Sequence, residues 1–187
     1  MRKNFGAMSA LYPMPVLIVA AWGSDGTANA MNAAWGGISE ENEISICISA
    51  DHMTTENLVA RGAFTVSMAT AQTVAQCDYL GIVSGNNVPD KLERCGMHAE
   101  RAGCVDAPVI RELPMALECR VKSYDPESCR LVGEIVNISA DESILTDGKI
   151  DPIKLRPITY DPISHGYYVL GEMVGRAFSD GTTISDR

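Results

Sequence analysis

The sequence predicts a mainly β protein with a few added helices, and three observations support this class. Short β-rich segments bounded by turn signals recur along the chain. Only three segments combine the length and the capping residues of helices. No repeat, low-complexity tract or linker interrupts the 187 residues. Because antiparallel sheets avoid open edges by closing, we expect the strands to form a barrel or a sandwich.

The first two strands are predicted to form a hairpin of one apolar strand and one strand of mixed polarity. The apolar run at residues 16–22 is typical of a strand buried on both faces. The Gly-Ser-Asp-Gly segment at 23–26 then predicts a tight turn. The returning strand, residues 27–35, alternates less cleanly. In extended conformation it places Asn29, Met31, Ala33 and Trp35 on one face.

Five further segments predict strands, at residues 44–49, 64–68, 115–121, 130–138 and 167–170. In residues 115–121 the apolar positions alternate with Glu118 and Arg120, which predicts one face in the core and one in water. The turn signal at 125–128 predicts that this strand and the next form an antiparallel hairpin.

Three segments predict helices, at residues 54–61, 70–80 and 90–95. In the first, Thr54 or Thr55 is expected as the N-cap and Gly62 as the C-terminal stop. We predict a single domain over residues 1–187, a length that buries roughly 70% of the surface of the unfolded chain.

The charge balance limits the partners of the protein. The chain has 15 Lys and Arg against 24 Asp and Glu, a formal charge of −9. This balance disfavours nucleic acid and anionic membranes, because both are bound through Lys and Arg. No run approaches the roughly 18–20 apolar residues of a membrane helix, and the run at 16–22 favours a strand over a signal peptide. A phosphate ligand must therefore be held by a few local donors.

The six cysteines have no CxxC spacing, and Cys95, His98 and Cys104 match no standard zinc pattern. We therefore predict reduced thiols, no metal and a cytoplasmic protein. The sequence lacks GxGxxG, Walker, GxSxG and HExxH motifs, and its three histidines are scattered. We accordingly name no catalytic residue.

One segment of the second predicted strand favours a flat ligand. Asn29 and Asn32 are unusual in a strand, and amides supply both donors and acceptors. Together with Trp35 and the two glycines after it, they indicate a wall that a heteroaromatic ring can approach. The alternative is an irregular edge strand whose asparagines cap nearby loops.

A second segment favours a phosphate group. A strand ends at Ser49 and a helix begins near Thr54, so hydroxyls and helix N–H groups converge, and His52 adds a donor. The alternative is an ordinary threonine N-cap without a ligand. Lys91 stands at the start of a short predicted helix, where a cation favours a nearby anion; the alternative is a solvated lysine.

Five distinct motifs are spread in order over nearly the whole chain. They are YPMPVLIV at 12–19, NAMNAAWGG at 29–37, HMTTEN at 52–57, SG at 84–85 with DK at 90–91, and GEMVG at 171–175. Together they resemble the flavin reductase-like family of FMN-binding split barrels, most closely its flavoredoxin branch. The resemblance implies a homodimer of six-stranded antiparallel Greek-key barrels with a few added helices, and FMN near the subunit interface.

The resemblance also implies the cofactor contacts. Those expected along the isoalloxazine and ribityl groups are Asn29, Met31, Asn32 and Trp35. Those expected at the ribityl and phosphate groups are Ser49, His52, Thr54 and Thr55. Lys91 would add charge at the phosphate or ring edge, and Tyr167 would be a late contact near the ring, from the other subunit. Relatives often have Arg where His52 stands, which predicts a weaker or pH-dependent hold on the phosphate. Relatives also read Ser-Gly-Arg-Asp where residues 84–87 are Ser-Gly-Asn-Asn.

Three functions remain open from the sequence. The first is an FMN-binding oxidoreductase of the NAD(P)H:flavin reductase type, with NAD(P)H as a transient electron donor. The second is a flavoredoxin-like electron carrier between protein partners, toward which an acidic surface would steer. The third, from another class, is a non-enzymatic β-barrel dimer that binds a small ligand. Bleaching of the flavin by NAD(P)H separates the first two, and a colourless protein that takes up no FMN would favour the third.

Overall fold

The computed structural model describes residues 1–184 as strands with a few short helices. The strands are β1 Met14–Pro15, β2 Leu17–Trp22, β3 Ala28–Ala33, β4 Gly36–Glu40, β5 Glu43–Cys47, β6 Ala63–Met68, β7 Ala99–Arg101, β8 Pro108–Ile110, β9 Met115–Asp125, β10 Arg130–Ala140, β11 Leu145–Thr146, β12 Lys149–Ile150, β13 Ile158–Asp161 and β14 Gly166–Val169. The helices are α1 Met53–Arg61, α2 Val74–Ile82, α3 Lys91–Arg94 and α4 Pro152–Leu155, with 3-10 turns at Glu142–Ile144 and Asp180–Ile184.

The largest sheet has seven antiparallel strands in the order β3-β2-β6-β9-β10-β5-β4. The sheet curls so strongly that Gly36, at the start of β4, lies against Leu17 of β2. A Cβ atom on Gly36 would come within 3.1 Å of both Leu17 and Ile46. The predicted mainly β class is confirmed as a half-barrel. The family resemblance implied six strands, and the seventh is the short, exposed edge strand β4.

The concave side of the sheet holds the main apolar core. The core residues that come from alternating positions of the strands are Leu17, Val19, Ala21, Met31, Ala33, Ile44, Ile46, Ile48, Phe64, Val66, Leu117, Cys119 and Leu131, and Leu58 of α1 covers one end. This alternation confirms the predicted strands, including the apolar strand β2, of which the first five residues are buried. The turn after β2 is also confirmed, with Gly26 at a φ of 83°.

A second apolar layer packs on the convex side of β2 and β3. It joins Val16, Ile18, Ala20 and Ala30 to residues of α2, α3, β8 and β13. A small sheet of β1, β13 and β14 lies next to it. This layer places the end of α2 and the start of α3 beside the edge strand β3. The region around β3 therefore has a sheet edge, two helix ends and a loop in close contact.

Several sequence predictions were wrong in detail. The helix predicted at residues 70–80 is Val74–Ile82, and the strand predicted at residues 27–35 is Ala28–Ala33. Thr54 and Thr55 do not cap α1, because the helix begins one residue earlier and His52 occupies the N-cap position without a side-chain cap. The C-terminal stop at Gly62, with a φ of 69°, is confirmed. The outer face of β9 is not fully wet, because the loop around Cys104 covers it. Glu118 is buried there and accepts hydrogen bonds from the Cys104 backbone N–H at 2.6 Å and Asn137 Nδ2 at 2.8 Å.

Within residues 1–184, no helix is both long and apolar enough to span a membrane. Over the same range, no three His, Cys, Asp or Glu side chains come together as a metal site would require.

Candidate functional site

A cavity of about 370 Å³ opens along β3, which is the edge strand of the large sheet. We call it the main cavity. Its walls are the edge of β3, the N-terminus of α1, the C-terminus of α2 and the loop at residues 84–85. The lining residues are Asn29, Met31, Asn32, His52, Met53, Thr54, Leu80, Gly81, Ile82, Val83, Ser84, Gly85 and Lys91. An edge strand leaves one row of backbone groups without a strand partner, so polar backbone is available on this side.

Asn29 is the central polar group of the main cavity. Its side chain is 2% exposed, and its Oδ1 accepts a hydrogen bond from Thr54 Oγ1 at 2.8 Å. Its Nδ2 has no partner among residues 1–184. A buried donor without an acceptor costs about 1–3 kcal/mol. The amide is therefore arranged for an acceptor that a ligand can supply.

Gly85 allows this arrangement. A Cβ atom built on Gly85 would lie 2.4 Å from Asn29 Nδ2, so no other residue fits without moving the amide. A Cβ atom built on Gly81 would lie 3.1 Å from the Cβ atom of Asn32, so this glycine also leaves room for an asparagine of β3. The loop of Gly85 is held in place by Asn86, whose Nδ2 donates to the Asp51 carbonyl at 3.0 Å.

The N-terminus of α1 points its free backbone groups at the main cavity. The first intrahelical hydrogen bond runs from the Glu56 N–H to the His52 carbonyl, so the N–H groups before Glu56 lack intrahelical acceptors. The side chain of His52 does not cap them. Met53 and Thr54 of this first turn line the cavity. Free N–H groups and the positive end of the helix dipole favour an anion here.

Lys91 supplies the one Lys or Arg side chain among the residues that line this cavity. It is 2% exposed, and its Nζ donates to the carbonyls of Leu80 at 3.2 Å and Val83 at 2.9 Å, at the end of α2. Burial lowers the pKa of Lys91 from 10.5 to about 8. An ammonium has three donors, so one remains for a ligand.

A second cavity of about 300 Å³ adjoins the first and shares Asn32, Gly81 and Ile82 with it. We call it the aromatic cavity. It is lined further by Val16, Ala34, Asp78, Tyr160, His165 and Tyr167. Tyr167 donates from its hydroxyl to Asp78 Oδ1 at 2.7 Å, and Tyr160 Oη lies 2.7 Å from His165 Nδ1. The two cavities form a continuous cleft on either side of Asn32.

The structure brings together six of the ten predicted contact residues, namely Asn29, Met31, Asn32, His52, Thr54 and Lys91, in the main cavity. Tyr167 lies in the aromatic cavity. The other three lie elsewhere. Trp35 is 58% exposed beyond the end of β3, and Ser49 is exposed with its Oγ 4.0 Å from Cys129 Sγ.

Thr55 differs from its expected place for a geometrical reason. Successive helix residues point about 100° apart, so Thr55 cannot share the direction of Thr54. It lines a shallow cavity with Val59 and Tyr124 instead. Its buried Oγ1 has no hydrogen-bond partner in the described range 1–184. A single chain does not bring Trp35, Ser49 or Thr55 into the main cavity. Cofactor contact by these residues stays a prediction.

Sequence reasoning missed the last turn of α2. Leu80, Gly81, Ile82 and Val83 form a wall of the main cavity, partly through backbone groups. Their apolar side chains carry no sequence signal for ligand binding. The neighbouring Ser84-Gly85 pair was the only sign of this wall in the sequence.

Comparison with known proteins agrees with this architecture. The family described as flavin reductase like domain matches residues 8–162. Flavoredoxin of Desulfovibrio vulgaris (Miyazaki F) is 36% identical, with a TM-score of 0.92 over 97% of this chain and 100% of that one. Flavoredoxin from Methanosarcina acetivorans is 27% identical, with a TM-score of 0.85 over 98% of each chain.

A more distant structure shows the same fold. An FMN-binding domain of a flavin reductases-like enzyme from Shewanella baltica OS155 is 20% identical, with a TM-score of 0.77 over 87% of this chain and 88% of that one. None of the curated proteins compared with this chain matches it. The class defined by fold and site is therefore a half-barrel with a ligand cleft at its sheet edge. The chain belongs to the flavin reductase-like domain family.

Proposed function

We propose that this chain is a flavoprotein oxidoreductase that binds FMN in the main cavity and exchanges electrons through it. The observation that carries the proposal is the buried Nδ2 of Asn29, a residue that lines the main cavity, because this donor has no acceptor within residues 1–184. The carbonyl and nitrogen edge of a flavin offers such acceptors. The membership of the chain in the flavin reductase-like family supports the same cofactor.

The residues of the main cavity fit both ends of FMN. The free N–H groups in the first turn of α1 would hold the phosphate. Lys91 would add one positive charge. Asn29, Met31 and Asn32 on β3 would line the ribityl chain and ring. This set of residues is compatible with phosphate binding by an acidic protein, because it relies on neutral donors and one cation rather than on a basic surface.

When bound, FMN supplies the hydride and electron chemistry, and the protein supplies orientation and electrostatics. The chain's own contribution is to bind and to exclude water. Thr54 fixes Asn29 by a hydrogen bond, Gly85 leaves room for the amide, and Lys91 joins the end of α2 to the cavity wall. We assign no general base or nucleophile.

Spectroscopy of the purified protein tests the cofactor. We expect a yellow protein whose bound flavin is released on denaturation and identified as FMN, and an apoprotein that binds FMN more tightly than riboflavin. Asn29→Leu should lose affinity for both flavins, whereas Lys91→Met should lose more for FMN. A protein that takes up neither flavin would refute the proposal and favour the non-enzymatic barrel.

Direct reduction by NAD(P)H is the first candidate for the electron source. Anaerobic mixing of the FMN-loaded protein with NADH or NADPH should bleach the flavin band within seconds. The second candidate is a flavoredoxin-like carrier between proteins, which the 36% identity to a flavoredoxin and the charge of −9 favour. Slow bleaching by both nucleotides, with rapid reduction by a reduced redox protein at low salt, would select the carrier.

We also propose a homodimer, because apolar residues are exposed at both ends of the chain. Phe5 and Leu11 are 71% and 72% exposed, and Met173, Val174 and Phe178 are 73%, 96% and 104% exposed. A second copy would cover them. Sedimentation should give twice the chain mass, and removal of residues 171–187 should shift it toward a monomer. A cytoplasmic location stays a prediction.

A further inference from the structure

Two cysteines lie on neighbouring strands where β5 ends and β10 begins. Cys47, the last residue of β5, is directly opposite Arg130, the first residue of β10. The ladder continues by one residue, because the Ile48 N–H donates to the Cys129 carbonyl at 2.8 Å. Cys129 is therefore offset from Cys47 by one position. With strands about 4.8 Å apart and a rise of about 3.3 Å per residue, their Cα atoms are roughly 6 Å apart, a separation that a disulfide spans.

Both cysteine side chains lie on the convex face of the sheet. Cys47 is exposed and alternates with Ile46 and Ile48, which belong to the core on the concave side. Cys129 closes the turn between β9 and β10 at a φ of 57°, so it does not follow the alternation of β10. Its Sγ lies 4.0 Å from the Oγ of Ser49, which is exposed and two residues beyond Cys47. Residues two apart in an extended chain share a face, so both thiols point to the same side.

The other four cysteines have different environments. Cys77 and Cys119 are buried, and burial raises their pKa values to about 11 and about 12. Burial also raises the pKa of Cys95. A raised pKa leaves little thiolate at neutral pH, and the thiolate is the form that attacks a disulfide. Cys104 is exposed on the loop that covers β9, and it serves as a reference thiol below.

We propose that Cys47 and Cys129 form a dithiol that exchanges electrons with low-molecular-weight disulfides and closes to an intramolecular disulfide. The thiolate of Cys47, the more exposed of the two, attacks one sulfur of the oxidant, forms a mixed disulfide and releases one thiol. Cys129 then attacks the Cys47 sulfur and releases the second thiol. The protein loses two electrons and two protons, and the oxidant gains them as its disulfide becomes two thiols.

The disulfide would join the end of β5 to the turn between β9 and β10. It would therefore fix the start of residues 48–52, which lead from β5 to α1. Exposed disulfides are more easily reduced than buried structural ones, so the bond should open again with a thiol reductant. The proposal is independent of the FMN site, because neither cysteine lines the main cavity.

Reaction with glutathione disulfide tests the pair. The protein as purified is incubated with this oxidant, free thiols are alkylated, and peptides are mapped without reduction. We expect a peptide that links Cys47 to Cys129, a loss of two hydrogen atoms from the intact mass, and reversal by dithiothreitol. Cys129→Ser should abolish the link and trap the mixed disulfide of Cys47 with glutathione. Cys104→Ser, which removes an exposed thiol elsewhere, is the matched control and should leave the link unchanged.

Cys104 also reports that the oxidant has reacted. If glutathione were found on Cys104 while Cys47 and Cys129 remained unlinked, the two sulfurs would not meet, and the proposal would be overturned. A link between the Cys47 residues of two copies would overturn it as well. A link between Cys47 and Cys129 in a protein that takes up no flavin would support this proposal and refute the FMN site alone.

Discussion

The two arms of the first hairpin have opposite roles although they pair over six residues. Strand β2 (LIVAAW) lies between β3 and β6, so it is bonded along both edges and buried on both faces. Strand β3 (ANAMNA) ends the sheet and has a strand partner on one edge only. Its free edge adjoins the main cavity, with Asn29, Met31 and Asn32 in the lining. The comparison teaches that the site lies where the sheet stops, and that β2 fixes β3 in place.

The largest expected effect is on stability and comes from β2. Ile18 is fully buried in the second apolar layer, on the convex side of the sheet. Ile18→Ala should lower the free energy of unfolding by about 2–5 kcal/mol, because it removes buried methyl groups and leaves a cavity. Urea unfolding with an unchanged m-value measures this loss. A change below about 1 kcal/mol would contradict the role of β2 as the buried strand that fixes β3 in place.

The next effect should be on binding and comes from β3. Asn29→Leu removes the unpaired donor and should weaken FMN binding about 10- to 100-fold, as expected for one hydrogen bond from a buried group. The free energy of unfolding should change by less than about 1 kcal/mol, because removal of an orphaned donor offsets the lost bond to Thr54. Fluorescence titration with FMN measures the affinity.

An exposed asparagine provides the control for this variant. Asn42→Ala, in the turn after β4, should change neither property. A large loss of stability with unchanged FMN affinity in Asn29→Leu would reverse the roles assigned to the two arms.

A glycine pair probes how closely the loop approaches β3. In Gly85→Ala the new methyl group would meet the Asn29 amide at 2.4 Å, so the amide must shift away from its ligand position. We expect FMN affinity to fall about tenfold, within the range for one misplaced hydrogen bond. Gly37→Ala is the matched control, because a Cβ atom there meets nothing within 4 Å. Equal affinities in the two variants would show that the loop does not position Asn29.

The sequence predicted the interior of the molecule better than the site. Alternation of apolar residues depends only on the pleat, so the strands around Ile46, Phe64 and Leu117 could be predicted from pattern. The burial of Glu118 could not, because it depends on a loop that folds over β9 from elsewhere in the chain. The wall made by the end of α2 was invisible for the same reason. Its role comes from tertiary position and not from residue type.

Within the site, residue type predicted most where chemistry was unusual. Asn29 and Asn32 stood out because amides are depleted in strands, and both line the main cavity. Trp35 was predicted to line the ring together with these amides, but its side chain lies on the exposed surface. The family resemblance predicted which sequence positions belong to the site. The direction of a side chain such as Thr55 depends on its position around the helix axis, and α1 begins one residue earlier than expected.

The smallest expected effect is a pH dependence that involves Lys91. Burial lowers the pKa of Lys91 from 10.5 in the unfolded chain to about 8. Between these values the unfolded chain binds more protons at this position, so the stability of the free protein should rise with pH from about 8 toward 10.5. FMN should show the opposite trend, because its phosphate favours the charged lysine.

Affinity for FMN should therefore fall about two- to fivefold between pH 7.5 and 9.5, the effect expected of an ion pair worth about 0.5–1 kcal/mol. Riboflavin, which lacks the phosphate, should bind with little pH dependence, and Lys91→Met should remove most of the dependence for FMN. If Lys91→Met retained the full pH dependence, the charge at the end of α2 would not reach the cofactor, and the free edge of β3 with the first turn of α1 would hold FMN without it.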